Sequence, residues 1–241
     1  MKQDILFISD LHLALNKKEI TRQFISFLNN QAQQAKSVYI LGDLFDAWIG
    51  DDDNTPPNKK IKSTLKQLTD SGTKVFLQLG NRDFLLGKHF AAETGISLLG
   101  DYQVIELNGV KTLLTHGDLL CSDDIPYQTF RVKSRTEAWQ QNVLSKPLLV
   151  RLLAARWYRV RSYFHKSKKS DDIMDVNQKT VITQMQKHDC LRLIHGHTHR
   201  PAIHDFKIEG KAAQRFVLAE WKKNHCEILR WSTSRFQLEK L

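Results

Sequence analysis

Five short apolar runs in this chain each stop at a residue able to bind a metal ion. "ILFIS" is followed by Asp10 and His12, "YILG" by Asp43, "FLQLG" by Asn81, "LLT" by His116, and "LIHG" by His197 and His199. Runs of this length and character read as buried strands. In an α/β protein the carboxyl ends of neighbouring strands share one rim, where sites form. Residues almost 190 positions apart are then brought to one place.

The outer parts of the chain alternate strand and helix accordingly. A helix is expected from about Glu19 to Ala35, with Phe24, Phe27 and Leu28 at core spacing, and another from about Lys60 to Asp70, ended by Gly72. The tail "RFVLAEWKKNHCEILRW" reads as a hairpin with Trp221 and Trp231 in its strands. Residues 123–175 break the rhythm with a helical, basic pattern, giving an expected core of 1–122 and 176–241 with an inserted cap at 123–175.

Charge is concentrated in that insert. The net charge is +10, and eleven Lys or Arg against one acid, Glu137, lie between Arg131 and Lys169. Outside it, basic and acidic residues balance. Leu149, Leu153, Trp157, Val160 and Phe164 fall on one helical face, with Arg151, Arg156 and Arg159 off it. Two readings follow: a helix packed on the core with a solvated basic side, or a basic amphipathic cap near a membrane surface. The three cysteines form no CxxC pair, which fits a reducing cytosol. No signal segment or membrane span is expected, since no apolar run approaches roughly 18 residues.

Each strand-end motif alone is common, with Gly42, Gly80, Gly117 and Gly196 serving as ordinary turn residues. The ordered set D-x-H, G-D, G-N-x-[DE], H-G-D and G-H-T-H is hard to assemble by accident. Imidazole, carboxylate and amide oxygen together suit Mn²⁺, Fe²⁺ or Zn²⁺ better than Ca²⁺. Seven ligands exceed one tetrahedral site and suit two ions sharing a carboxylate, roughly 3.5–4 Å apart, which clamp a phosphoryl group. His195 alternates to the opposite face of its strand and reads as structural. Asp51-Asp52-Asp53 lacks the alternating spacing of an EF-hand and reads as structural or substrate-side.

On Asp10-Leu11-His12, Gly42-Asp43, Gly80-Asn81-Arg82-Asp83, His116 and Gly196-His197-Thr198-His199, the sequence resembles the calcineurin-like metallophosphoesterases. The resemblance implies a four-layer αββα sandwich with an inserted helical cap. It implies that Asp10, His12, Asp43 and His199 hold one ion and Asp43, Asn81, His116 and His197 the other. Asp43, Asn81, His116 and His197 would be the catalytic residues. Arg82 stands where phosphatases of the wider family carry histidine. Arginine binds phosphate bidentately but is no general acid at neutral pH, which argues for a good leaving group.

Longer strings, "ILGDLFDAWIGDDD", "GNRDFLLGK", "DDIPYQTFR", "IMDVNQ" and "IHGHTHRPA", are similar to the UDP-2,3-diacylglucosamine pyrophosphohydrolases of lipid A biosynthesis. That resemblance implies attack of a hydroxide bridging two Mn²⁺ ions on the α-phosphorus, giving UMP and 2,3-diacylglucosamine 1-phosphate. It implies substrate contacts at Asn81, Arg82, Asp124, Ser162, Lys166, Lys169 and His197, with Lys166 standing where the family favours asparagine. It also implies a peripheral protein on the cytoplasmic side of a Gram-negative inner membrane, its cap meeting anionic lipid and sheltering acyl chains. No nucleic-acid partner is expected.

Three other readings are weighed. A nuclease on the same metal core would use the basic cap on a phosphate backbone, but Arg82 and the apolar stripe disfavour it. A non-catalytic scaffold would have lost ligands, and all seven are present. A membrane-bound protein with purely structural metals would show closed coordination.

Overall fold

Side chains alternate along the first strand, and both of its faces are covered. In this computed structural model, which describes residues 3–166 and 175–241, β1 (Ile5–Ile8) sends Leu6 and Ile8 into one apolar cluster and Phe7 into another. Strand β2 (Ser37–Leu41) splits the same way, with Val38 and Ile40 against Tyr39 and Leu41. Burial on both faces explains why these runs are continuously apolar.

The partners of the two faces define the layers. One sheet has the order β11-β10-β1-β2-β3-β4, using β3 (Lys74–Gln78), β4 (Ser97–Leu99), β10 (Glu227–Ser232) and β11 (Arg235–Lys240). The other has the order β5-β6-β7-β9-β8, from β5 (Gln103–Leu107), β6 (Val110–Leu114), β7 (Arg192–His195), β8 (Ala202–Ile208) and β9 (Lys211–Val217). Phe7, Tyr39, Leu114, Ile194, Phe216 and Trp231 pack between the sheets. Helices α1 (Lys18–Asn29) and α3 (Asn58–Asp70) cover the first sheet through Phe24, Phe27, Ile61 and Leu65. Helix α8 (Gln178–Lys187) covers the second through Val181 and Met185. The expected αββα sandwich is what forms. The first expected helix is interrupted at Asn30, after which a short α2 (Gln31–Gln34) follows.

The tail is not a hairpin. β9 already has β7 and β8 as neighbours, and β10 has β1 and β11, so the two lie in different sheets. Trp221 sits in the crossing segment and is in no strand. It is buried against the edges of the Phe24 and Phe27 rings, and its indole N–H donates to the Glu227 carbonyl. The true hairpins turn at Asn108-Gly109, Glu209-Gly210 and Thr233-Ser234, each a pair with positive φ, as tight two-residue turns require.

Among the described residues, the α-helices α5 (Ile125–Ser134), α6 (Glu137–Leu144) and α7 (Leu148–Lys166) follow β6 with no strand before α8. Here the reading of a packed apolar stripe and a solvated basic side is reversed. Leu149, Leu153 and Trp157 are 66%, 59% and 62% exposed, while Arg151 is 6% exposed. Arg151 reaches the Ile49 carbonyl at 2.5 Å and both Asp52 carboxylate oxygens. The side chains of Val160 and Phe164, the other stripe positions, lie outside the described residues.

The acidic run Asp51-Asp52-Asp53 is structural. Asp51 accepts from the backbone N–H groups of Gly87 and Phe90, at the start of α4 (Lys88–Thr94), and from the Trp48 indole. Asp52 anchors Arg151, and Asp53 accepts from Thr55 and Asn58. Among these layers, the crossing segment depends most on one side chain. Trp221→Ala is expected to lower unfolding free energy by about 3–5 kcal/mol, read by chemical denaturation.

Candidate metal centre

The loops after β1 and β2 are zipped together beyond the sheet. Asp10, His12 and Leu13 donate backbone N–H groups to the carbonyls of Gly42, Asp43 and Leu44. This pairing forces unusual backbone. Asp10, His12, Asp43, His197 and His199 all have φ between 50° and 69°. Left-handed backbone costs of order 1–3 kcal/mol for a non-glycine residue. Five such residues at one rim mark a place shaped for something other than stability. Gly42, at φ 85°, could not carry a side chain, because a Cβ there would overlap the His116 ring.

Asp83 holds the third loop. Its carboxylate accepts from the backbone N–H of Gly80 at 2.8 Å, Leu44 at 2.7 Å and Phe45 at 3.3 Å. The acid of the G-N-x-[DE] motif thus fastens the β3 loop to the β2 loop and sets Asn81 over the centre.

Two groups of ligand atoms converge there. In one, Asp10 Oδ1 lies 3.3 Å from His199 Nε2 and 4.0 Å from His12 Nε2, and the two imidazole nitrogens are 3.3 Å apart. In the other, Asn81 Oδ1, His116 Nε2 and His197 Nδ1 lie 3.1–3.2 Å from one another. Asp43 stands between them, Oδ2 3.7 Å from His12 Nδ1 and Oδ1 3.8 Å from His116 Nε2. The structure therefore brings together all seven residues read from the strand ends.

The polar bookkeeping favours cations. Asp10 Oδ2 is used up by the Ser9 hydroxyl at 2.6 Å and the His197 N–H at 2.8 Å, but its Oδ1 is buried without a hydrogen-bond partner. His12 Nδ1 is likewise unpartnered. His116 Nδ1 donates to the Leu41 carbonyl at 2.8 Å, so its other nitrogen faces the Asn81 oxygen with a lone pair when the ring is neutral. Burial pushes the Asp43 carboxyl up to about 7, with Asp83 and Asp10 adding to the crowding and His116 and Arg82 only partly relieving it. A buried cluster of this kind asks for positive charge, and its imidazole, carboxylate and amide donors fit first-row divalent metals.

Glu220 also belongs here and was not read from sequence. Its carboxylate is 3.3 Å from His199 Nδ1 and 3.9 Å from His12 Nε2. Burial works against a charge on His199, but Asp10 and Glu220 overcome it and raise its pKa to about 9. The signal is present in the sequence: Glu220 follows the apolar run "FVLA", as the candidate ligands follow theirs. His195 stays out of the centre, buried, with Nδ1 bonded to the Gly196 carbonyl and Nε2 accepting from Arg215.

The expected substrate contacts divide. Arg82 lies at the rim, its Nε 3.4 Å from Asp43 and its Nη1 3.6 Å from Asp46. Asp124 is the N-cap of α5 and accepts from the Tyr127 N–H; the Tyr127 ring stands 6.3 Å from that of His197. Lys169 lies outside the described residues, as do the side chains of Ser162 and Lys166. Next to the centre, a cavity of about 460 Å³ runs between the core and α5–α7, with Asn81, Arg82 and Asp46 at its wall and Trp48, Phe84, Phe130, Trp139 and Val150 along it.

Comparison with known proteins agrees with this geometry. The calcineurin-like phosphoesterase family matches residues 4–201. The chain is 48% identical over 216 residues to UDP-2,3-diacylglucosamine hydrolase of Salmonella typhi, covering 90% of each chain. It is 44% identical over 219 residues to the protein of that name from Marinobacter nauticus, covering 91% of this chain and 90% of the relative. A novel archaeal phosphodiesterase shares the fold, with a TM-score of 0.51 at 12% identity over 99% of this chain and 100% of its own.

The Asp118 carboxylate joins the centre to α5, accepting from the Tyr127 hydroxyl and from Arg131 Nε at 2.7 Å. Burial opposes its ionisation, but His116 and Arg131 hold it well below the usual carboxylate range. A depressed folded pKa stabilises the protein above the unfolded value, about 4, and that stabilisation fades as pH falls. Asp118→Asn, which leaves Arg131 with Asp101 as its remaining carboxylate partner, is expected to cost about 1.5–3 kcal/mol at pH 7. Chemical denaturation should show the gap to the unsubstituted protein narrowing as pH is lowered toward 3.

Proposed function

The chain belongs to the calcineurin-like phosphoesterase family, and from that premise we propose that it hydrolyses the diphosphate of UDP-2,3-diacylglucosamine to UMP and 2,3-diacylglucosamine 1-phosphate, a step of lipid A biosynthesis. The observation that carries this reading is the apolar cavity opening beside Asn81 and Arg82. A nucleic-acid backbone calls for a cationic groove with aromatic platforms for its bases, whereas a predominantly apolar chamber at the phosphate site suits an acyl chain. An acyl chain gains about 0.8 kcal/mol per buried methylene. The names of the relatives, at 44–48% identity over nine-tenths of the chain, support the same substrate.

In this reading Asp10, His12, Asp43 and His199 hold one divalent ion and Asp43, Asn81, His116 and His197 the other; the donors suit Mn²⁺, Fe²⁺ or Zn²⁺, and Mn²⁺ is the one the family resemblance implies. When bound, two such ions supply an activated water and neutralise the phosphoryl oxygens. The water oxygen joins the α-phosphorus, the bond to the bridging oxygen breaks, and the electron pair leaves with the sugar 1-phosphate. That phosphate is a weak base, so no general acid is needed. Arg82 binds the phosphoryl oxygens, and Asn81 and His197 set the α-phosphate against the centre. Asp124, Ser162, Lys166 and Lys169 are proposed further contacts.

Residues 123–175 serve as the cap on a core of 1–122 and 176–241. Among the described residues no helix is long and apolar enough to cross a membrane. The exposed Leu149, Leu152 and Leu153 beside Arg156 suit the surface of an anionic bilayer instead, where each cation contributes about 1 kcal/mol. The setting proposed is the cytoplasmic face of a Gram-negative inner membrane.

The test is UMP release from UDP-2,3-diacylglucosamine in detergent micelles, with metal stripped and then Mn²⁺ restored. UMP is expected only with the metal. No UMP, with metal-dependent cleavage of a generic phosphodiester, would keep the metal centre and discard the lipid substrate. Asp43→Ala is expected to remove both ions and nearly all turnover while the fold survives. Arg82→Ala should weaken transition-state capture by about 1.5–3 kcal/mol, roughly 10–150-fold in kcat/KM, with metal content unchanged.

A further inference from the structure

Asp46 stands where the core meets α7, and three cations surround it. Its Oδ2 lies 2.6 Å from Arg159 Nη1, its Oδ1 3.6 Å from Arg82 Nη1, and the same oxygen 3.9 Å from Lys17 Nζ. Arg159 also donates to the Asp46 backbone carbonyl. The backbone position is held from the other side, where the Asp46 N–H donates to the Leu13 carbonyl at 3.0 Å. Because Arg82 Nε lies 3.4 Å from Asp43, the charges alternate Asp43, Arg82, Asp46, Arg159 from the metal centre to the cap.

Two guanidinium groups therefore share one wall of the cavity beside Asn81. One comes from a core loop and the other from α7. Left alone they repel. Arg159 is half-buried, and burial together with Arg82 pushes its pKa down. Among the described residues no other carboxylate pairs with Arg159. A carboxylate between them cancels the repulsion and holds both side chains facing the same space. Paired guanidiniums at fixed spacing match a diphosphate, whose two phosphoryl groups offer separate acceptor edges.

We propose that Asp46 is a positioning residue that holds Arg82 and Arg159 as a two-arginine clamp for the diphosphate of the substrate. The proposal deepens the function given above and rests on it in taking a diphosphate ester as the bound anion. Asp46 touches neither the ligand atoms nor the phosphorus. Its removal is therefore felt in substrate capture more than in the chemical step.

The experiment compares unsubstituted protein with Asp46→Asn, Asp46→Glu, Arg159→Gln and the Asp46→Asn/Arg159→Gln double variant, all Mn²⁺-loaded. Each is assayed on UDP-2,3-diacylglucosamine and, in parallel, on bis(p-nitrophenyl) phosphate, with bound metal and melting temperature recorded. Asp46→Asn is expected to raise KM about tenfold, with kcat within about threefold. Asp46→Glu, which keeps the charge, should recover most of the loss. The double variant should be worse than Arg159→Gln alone by much less than tenfold, since both substitutions dismantle one clamp. An unchanged or lower KM in Asp46→Asn, a Glu variant no better than Asn, or single effects that multiply in full would each overturn the proposal. If the Asn variant loses its fold, the Glu and Arg159→Gln variants decide: KM unchanged in Arg159→Gln overturns the clamp. If the unsubstituted protein ignores the lipid substrate, the substrate reading fails by itself, and the clamp is judged on binding of inorganic pyrophosphate, where an unchanged affinity in Asp46→Asn overturns it.

Discussion

Negative charge buried at the rim of two sheets is the constraint from which the rest of this structure follows. Asp10, Asp43 and Asp83 are all fully buried within a few residues of strand ends, a place no isolated carboxylate would occupy in its charged form. Each is tolerated for a different reason. Asp83 is satisfied by backbone N–H groups and acts as a fastener. Asp10 is half satisfied, with one oxygen hydrogen-bonded and the other without a hydrogen bond, facing the imidazoles of His199 and His12. Asp43 is surrounded by imidazoles and Arg82 on an otherwise crowded acidic site. The left-handed backbone at five of the candidate ligands is the conformational cost of aiming these groups inward.

The second organising contact is the reversed polarity of α7. A helix whose Leu149, Leu153 and Trp157 face outward while Arg151 and Arg159 face the core is held by directed ion pairs, Arg151 to Asp52 and Arg159 to Asp46. Such contacts fix orientation more than they add stability. They leave an apolar chamber below the helix and an apolar, basic surface above it. Both suit a substrate with one end in lipid and the other at a metal centre.

Much of this was legible in the sequence, for identifiable reasons. Strand ends are marked by an abrupt change from apolar to ligand residue, so the seven candidate ligands and the layered fold could be read directly. Glu220 follows the same rule, but the run before it also fits a hairpin strand, which masks the strand end. That hairpin failed because sequence periodicity identifies strands but not their partners, and both strands already had two neighbours. The direction of α7 was not legible either. Its stripe gives the helical face but not which side meets the core, and that is decided by Asp46 and Asp52, about a hundred residues earlier.

Asp43 is proposed to join two cations into one centre. Electron paramagnetic resonance on protein titrated with Mn²⁺ tests this most directly. Two equivalents should bind, and as the second is added the signal of an exchange-coupled pair should replace that of isolated ions. A single equivalent at saturation, or two ions that keep the hyperfine pattern of isolated Mn²⁺, would contradict it.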